Sequence, residues 1–119
     1  GVVWYSICSS AEGRQGNYPA GKINELIKQN NAKPTAYLFD ASGDVGHLYG
    51  ARATPHMFVI DKKGNLVYAG AIDDDPNADI SDKPVTNYVQ KALDELLANK
   101  PVSVTSSPAY GCSVKYARK

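Results

Sequence analysis

The sequence predicts an α/β fold: a mixed sheet flanked by helices. Two observations carry this expectation. Short runs rich in β-branched and aromatic residues alternate with stretches of helical spacing, and alternation of that kind implies parallel pairing with helices on the sheet faces. Two apolar runs, His56 to Ile60 and Leu66 to Ala71, flank the turn Asp61-Lys62-Lys63-Gly64-Asn65, which reads as an antiparallel hairpin at one side of the sheet. A chain of 119 residues with 43% hydrophobic and 21% charged content suits one domain with a modest core.

The first element is Val2-Val3-Trp4-Tyr5-Ser6-Ile7, a continuous apolar run of the kind found in buried parallel strands. Ser9 to Tyr18 is rich in Ser, Gly and polar residues and reads as a loop. Pro19 can open a helix, with Ile23, Leu26, Ile27 and Asn30 at helical spacing and Lys22, Glu25 and Lys28 pointing outward. Thr35 to Phe39 is a second strand, ended by Asp40-Ala41-Ser42-Gly43. Ser42 is placed to cap a short helix bearing Val45, Leu48 and Tyr49, which Gly50 ends. After the hairpin, Asp73 to Pro84 is acidic with two prolines and reads as an exposed loop. Asn87 with Gln90 resembles a capping box for a helix whose apolar face is Val89, Ala92, Leu93, Leu96 and Leu97, stopped by Lys100-Pro101. The remainder is an irregular tail in which Val102-Ser103-Val104 fits a short strand. The expected organisation is residues 1–100 as the domain and 101–119 as the tail.

Composition narrows the function. Thirteen basic against 12 acidic residues give a net charge of +1, which leaves no footprint for nucleic acid or an anionic membrane. No run has the length of a membrane span or the shape of a signal-peptide core. The chain starts at Gly1 rather than Met, which reads as a trimmed or processed start. Cys8 and Cys112 are too few for a disulfide scaffold and lack metal-ligand spacing. No Gly-rich phosphate loop, nucleophile elbow or other cofactor motif occurs, so no cofactor is expected. The acidic group Asp73, Asp74, Asp75, Asp79 and Asp82 lacks the alternation and central Gly of a calcium loop and reads as solvated.

The most specific signal is Ala53-Thr54-Pro55-His56 ahead of an apolar strand. Proline cannot donate to a sheet ladder, so it belongs at a strand's first residue or edge, and X-Pro is the bond where cis is accessible. Together with Leu48-Tyr49-Gly50-Ala51, Ile60-Asp61-x-x-Gly64, Gly70-Ala71-Ile72-Asp73-Asp74 and Gly111-Cys112-Ser113-Val114-Lys115-Tyr116, it resembles the peroxiredoxin-like branch of thioredoxin-fold redoxins, the relatives of alkyl hydroperoxide reductase and thiol-specific antioxidant proteins. The resemblance runs from Val2 to Tyr116. It implies a thioredoxin-like sheet, a cis Thr54–Pro55 bond, and thiol–disulfide exchange or antioxidant activity with a thiol or disulfide protein, or a peroxide, as partner. It also suggests an oxidising space outside the cytoplasm, such as a bacterial periplasm.

Three departures qualify what the resemblance implies. The strand and helix that carry the family's reactive cysteine are absent upstream of Val2, and no Cys-x-x-Cys pair occurs. Pro55 stands where peroxiredoxins place an arginine, which favours thiol–disulfide chemistry over peroxide reduction. Cys8 stands where relatives more often carry a polar residue. The absent strand is central in that fold, so its neighbours are expected to close directly, to accept the tail strand, or to pair with another chain as a homodimer or by strand exchange.

Two readings stand for each candidate. Cys112, between Gly111 and Ser113 and near Lys115 and Arg118, fits a redox-active or resolving thiol, since nearby cations raise a thiol's thiolate fraction; the alternative is an inert residue in the tail. Cys8 ends a strand at the carboxyl edge where α/β sites collect, or is simply a packed small residue; a Cys8–Cys112 disulfide is compatible with the sequence. Thr54, Pro55 and His56 would shape the substrate-docking surface, and His56 would either tune a thiolate or meet an ordinary hydrogen-bond need. For the chain as a whole, a thiol redox protein stands against a non-catalytic fragment or a module that holds a partner strand at the Thr-Pro groove and an open sheet edge.

Overall fold

The computed structural model describes residues 1–76 and 84–118. Its elements are β1 (Tyr5–Cys8), α1 (Ala20–Gln29), β2 (Ala36–Phe39), α2 (Asp44–Tyr49), β3 (Ala53–Thr54), β4 (Met57–Ile60), β5 (Leu66–Gly70), α3 (Tyr88–Leu97) and β6 (Cys112–Ser113). The fold is α/β with small mixed sheets: β1–β2 is parallel, while β4–β5 and β3–β6 are antiparallel. The expected single mixed sheet is replaced, among the described residues, by three two-stranded ladders. The chain forms two compact units, Gly1–Ala51 with Val114–Lys119, and Arg52–Ser113.

In the first unit, β1 and β2 run in register from Tyr5 opposite Ala36 to Cys8 opposite Phe39. The parallel direction requires a crossover, and α1 provides it. Pro19 occupies the cap position of α1, where a missing N–H costs nothing, and Ile23 is buried while Lys22, Glu25 and Lys28 are exposed. The expectation of a buried first strand is corrected. Val3, Tyr5 and Ile7 are 60%, 59% and 44% exposed, and Leu38, level with Ile7, is 43% exposed. Alternation along a strand explains this: Ser6, Cys8 and Tyr37 form the half-buried face, whereas Tyr5, Ile7 and Leu38 face the other way. No described element covers that second face.

Helix α2 also departs from expectation. Its cap position is Gly43, in a left-handed conformation with φ 79°, and no side chain caps it there. Ser42 reaches only to 3.4 Å from the Asp44 amide. The first-turn amides are satisfied instead by Asp40, whose carboxylate accepts from Val45 at 3.2 Å and from Gly46 at 2.9 Å, and from the Ser9 hydroxyl at 2.7 Å. Gly50 ends the helix as expected, at φ 72°. Tyr116 stacks on His47 with ring centroids 3.8 Å apart and donates its hydroxyl to the Ala51 carbonyl. A Cβ at Gly46 would lie 2.7 Å from both Ser9 Oγ and Tyr116 Oη, so a side chain there would have to push these two groups aside.

The second unit contains the apolar core. Val59 and Tyr68 from the hairpin meet Val89 and Ala92 from α3, with Met57, Leu93 and Leu96 packed around them. In the hairpin turn, Asp61 accepts from the Lys63 and Asn65 amides at 2.9 Å each. Asn87 caps α3 by accepting from the Gln90 amide at 2.8 Å, but the reciprocal arm of the expected box is diverted, because the Gln90 side chain donates to Asp94. Leu97, expected on the apolar face, is 65% exposed because it lies in the last turn, beyond the core residues of α3.

Val102-Ser103-Val104 is not a strand; the extended pairing comes later in the tail. Ala69 of β5 donates to Thr105 at 3.1 Å and accepts from Ser107 at 3.3 Å, with a parallel bridge to Ser106. Ser107 Oγ then binds the Ala71 amide and the Tyr68 hydroxyl. The tail strand therefore takes the outer edge of β5 and, through β6, the short strand β3, rather than a place beside β4. In the acidic stretch, Asp73 is not simply solvated: it bridges Asn87 and accepts from the Tyr110 hydroxyl. Asp79 and Asp82 lie outside the described residues.

Candidate functional site

The site is built where the tail meets the Thr-Pro step. The Thr54–Pro55 bond is cis. Because proline donates no N–H, β3 ends at Thr54, and the chain resumes as β4 at Met57. β6 pairs antiparallel with β3, Ala53 opposite Ser113 and Thr54 opposite Cys112. This register sets Cys112 directly across from the residue preceding the proline. Cys112, Thr54 and Pro55 are all exposed, so the thiol and the turn share an open surface.

Gly111 makes that pairing achievable. Its φ is +128°, and a Cβ there would sit 2.2 Å from the Thr54 carbonyl oxygen. Only glycine lets the backbone carrying Cys112 come this close. The sequence signal was present, a Gly immediately before the cysteine, but its contact lies far away along the chain.

His56 turns back on its own loop. Its Nδ1 accepts from the Arg52 amide at 3.2 Å, which leaves the ring proton on Nε2. The ring stacks on Phe58 with centroids 4.6 Å apart. Burial, and then the Arg52 charge, lower its pKa below the usual histidine value, so it is neutral at pH 7. His56 is thus a clasp for the loop from Arg52 to His56, and a neutral ring has no positive charge with which to stabilise a thiolate. Arg52 and Phe58 were not anticipated, since neither carries a recognisable motif.

Cys8 belongs to the first unit. It is half-buried at the end of β1, and its Sγ lies 3.4 Å from the Gly16 carbonyl, which accepts from the thiol. On the same strand face Tyr37 has its phenol pushed up to about 12, by burial first and then by the hydrogen bond and charge of Cys8. Lys115 and Arg118 belong to the first unit, whereas Cys112 belongs to the second. Both cysteines are free thiols. The site residues read from the sequence therefore divide: Cys112, Thr54 and Pro55 come together, His56 adjoins them facing its own loop, and Cys8 sits in a separate setting.

No family model and no curated protein matches the chain. Solved structures do. A hypothetical protein from Sinorhizobium meliloti is similar at 30% identity with a TM-score of 0.80 over 97% of this chain. An uncharacterized conserved protein from Geobacillus kaustophilus is similar at 28% identity with a TM-score of 0.85 over 100% of it. The chain spans 62% of the length of each of these two proteins.

Proposed function

We propose that this chain is part of a thioredoxin-like, peroxiredoxin-related thiol redox protein, with Cys112 as its working thiol and Thr54–Pro55 as the surface that presents a partner to it. The observation that supports this reading is the β3–β6 register, which puts Cys112 opposite Thr54 on an exposed face. The chemistry is thiol–disulfide exchange. The Cys112 thiolate attacks one sulfur of a partner disulfide; a mixed disulfide forms, and the partner's other sulfur leaves as a thiolate that takes up a proton. A second thiol then attacks the mixed disulfide, releases the partner's remaining thiol, and itself becomes disulfide-bonded to Cys112. Cys8 is one source of that second thiol, and a small external thiol is another. Either way the partner gains two electrons and the thiol pair loses them.

Insulin reduction coupled to a small-thiol reductant tests the reading. The wild-type chain is expected to accelerate it, Cys112→Ser to abolish the acceleration, and Cys8→Ser to retain it if the external thiol resolves the intermediate. No acceleration by the wild type over the reductant alone would contradict the reading.

A second reading rests on a different observation. β1 belongs to a two-stranded sheet, and its apolar side chains Tyr5 and Ile7, with Val3 just before it, are exposed. An open, apolar edge strand is a template for another strand, so the same chain can serve as a non-catalytic module that holds a partner by strand addition. The amides of Tyr5 and Ile7 face away from β2, so concentration-dependent association that Ile7→Pro abolishes, with both units still folded, would support this reading. A monomer at all concentrations would leave only the first.

A further inference from the structure

We infer that the second unit carries a docking groove for an acidic, apolar peptide segment at the start of β5, beside the hairpin tip. The groove has a volume of about 750 Å³ and lies between β5, the end of α3 and the segment that follows it. Its floor is apolar, formed by Val67, Leu96 and Val102, and Leu66 stands at its margin 54% exposed. Three exposed lysines surround this floor: Lys62 and Lys63 at the hairpin tip and Lys100 after α3.

Charge complementarity identifies the occupant. Asp61 is the carboxylate among the lining residues, and it is already committed to the turn. It accepts from the Lys63 and Asn65 amides, and those bonds hold its carboxyl below the usual range. It stays ionised, but one carboxylate facing its own turn leaves an excess of positive charge at the rim. Lysine stems lie along apolar surface and extend their ammonium groups outward, so they suit carboxylates presented beside an apolar side chain. The strand adds a further feature. Ile60 pairs with Leu66 and Val59 with Tyr68, which leaves Val67 as the extra residue of a bulge on the groove floor. Bulges re-aim side chains and interrupt pairing, and they recur beside binding sites. A ligand with alternating apolar and acidic side chains would set the first on the floor and the second on the lysines.

This inference does not depend on the thiol reading, and its test is run on the full chain carrying Cys112→Ser, so that covalent capture contributes nothing. The probe is a fluorescent peptide alternating Glu with Val and Leu, measured by anisotropy. Saturable binding at micromolar peptide is expected. Reversing Lys62, Lys63 and Lys100 to Glu together should weaken it by about ten-fold or more, as three solvent-exposed charge pairs allow. The milder set Lys62→Gln, Lys63→Gln and Lys100→Gln should weaken it less, and moderate salt should weaken wild-type binding alone. Leu66→Ser should weaken binding at every salt concentration. Circular dichroism confirms that each variant is folded, which is expected because all four side chains are exposed. Equal binding of a peptide with Lys in place of Glu, or equal binding by the charge-reversed variant, would overturn the inference. Tighter binding of a single-stranded DNA of the same charge would overturn the assignment to a peptide.

Discussion

The two units of this chain solve the problem of burial differently. The second packs Val59, Tyr68, Val89 and Ala92 into an apolar core and latches its tail onto that core through Ser107. In the first, Ile23 is the large apolar side chain that reaches full burial among the described residues, and the other buried groups include the polar pair Ser9 and Asp40. The apolar run that leads into its strand β1 has the composition of a core strand but exposes Val3, Tyr5 and Ile7. Residue type alone does not make a core; a second layer must be present to receive it. The second unit has that layer in α3. In the first, no described element covers one sheet face, and buried polar contacts gather instead around Asp40 at the start of α2.

Core truncation gives the largest contrast. Tyr68→Ala should destabilise the second unit by about 3–5 kcal/mol, the usual range for deleting a large buried aromatic side chain. Ile7→Thr, on the open face, should change stability by less than about 0.5 kcal/mol. Urea unfolding followed by hydrogen exchange of peptides from each unit checks both. Equal costs at the two sites would break the comparison.

Next in size is the backbone approach at the site. Gly111→Ala should cost about 1–3 kcal/mol, because it puts a Cβ into the Thr54 carbonyl and strains a positive φ. Exchange protection of the β3 and β6 amides should fall while that of α3 is kept. Unchanged protection at β3 would show that Gly111 does not set the register.

For the first unit, Asp40→Ala should cost about 1–3 kcal/mol by leaving the buried Ser9 hydroxyl and the Gly46 amide without their acceptor. The pH dependence has a definite sign. Burial alone would raise the Asp40 carboxyl, but the Ser9 hydroxyl, the Gly46 and Val45 amides and the His47 charge outweigh it and lower the folded-state pKa. The stabilisation is therefore complete above the ordinary carboxylate value of about 3.9 and is lost as pH falls through the folded-state value. Protection of the α2 amides, relative to the unfolded-chain exchange rate at each pH, should fall with acid in wild type and lose that dependence in Asp40→Asn.

The smallest effect is at His56. Its folded-state pKa is lowered, so the neutral form stabilises the loop above the unfolded value of about 6.5, and stability declines as pH falls below that. A histidine NMR titration of the wild type should show the lowered midpoint; an ordinary or raised midpoint would contradict the clasp.

Where structure depends on neighbours in sequence, the chain could be read directly. Pro19, Asn87 and Gly50 mark helix ends, and Gly64 with its charged neighbours marks the hairpin turn. The exposure of β1 could not be read, because an apolar run announces a strand but not whether a layer covers it. The cap of α2 depends on the fold in a similar way. Ser42 is adjacent in sequence and meets the Asp44 amide, whereas Asp40 reaches the Val45 and Gly46 amides from across the turn at the left-handed Gly43. At the candidate site, Cys112, Thr54 and Pro55 were each visible as residue types, but their meeting depends on a non-local register made possible by Gly111.

We propose Cys112, opposite Thr54, as the working thiol. The most direct test is to mix the reduced chain with a disulfide-containing peptide, quench with acid, and locate the mixed disulfide by peptide mass spectrometry. The early adduct should be on Cys112, with Cys8 modified slowly or not at all, and Gly111→Ala should slow adduct formation. An early adduct on Cys8, or equal rates for Cys112 in the folded and urea-unfolded chain, would contradict the proposal.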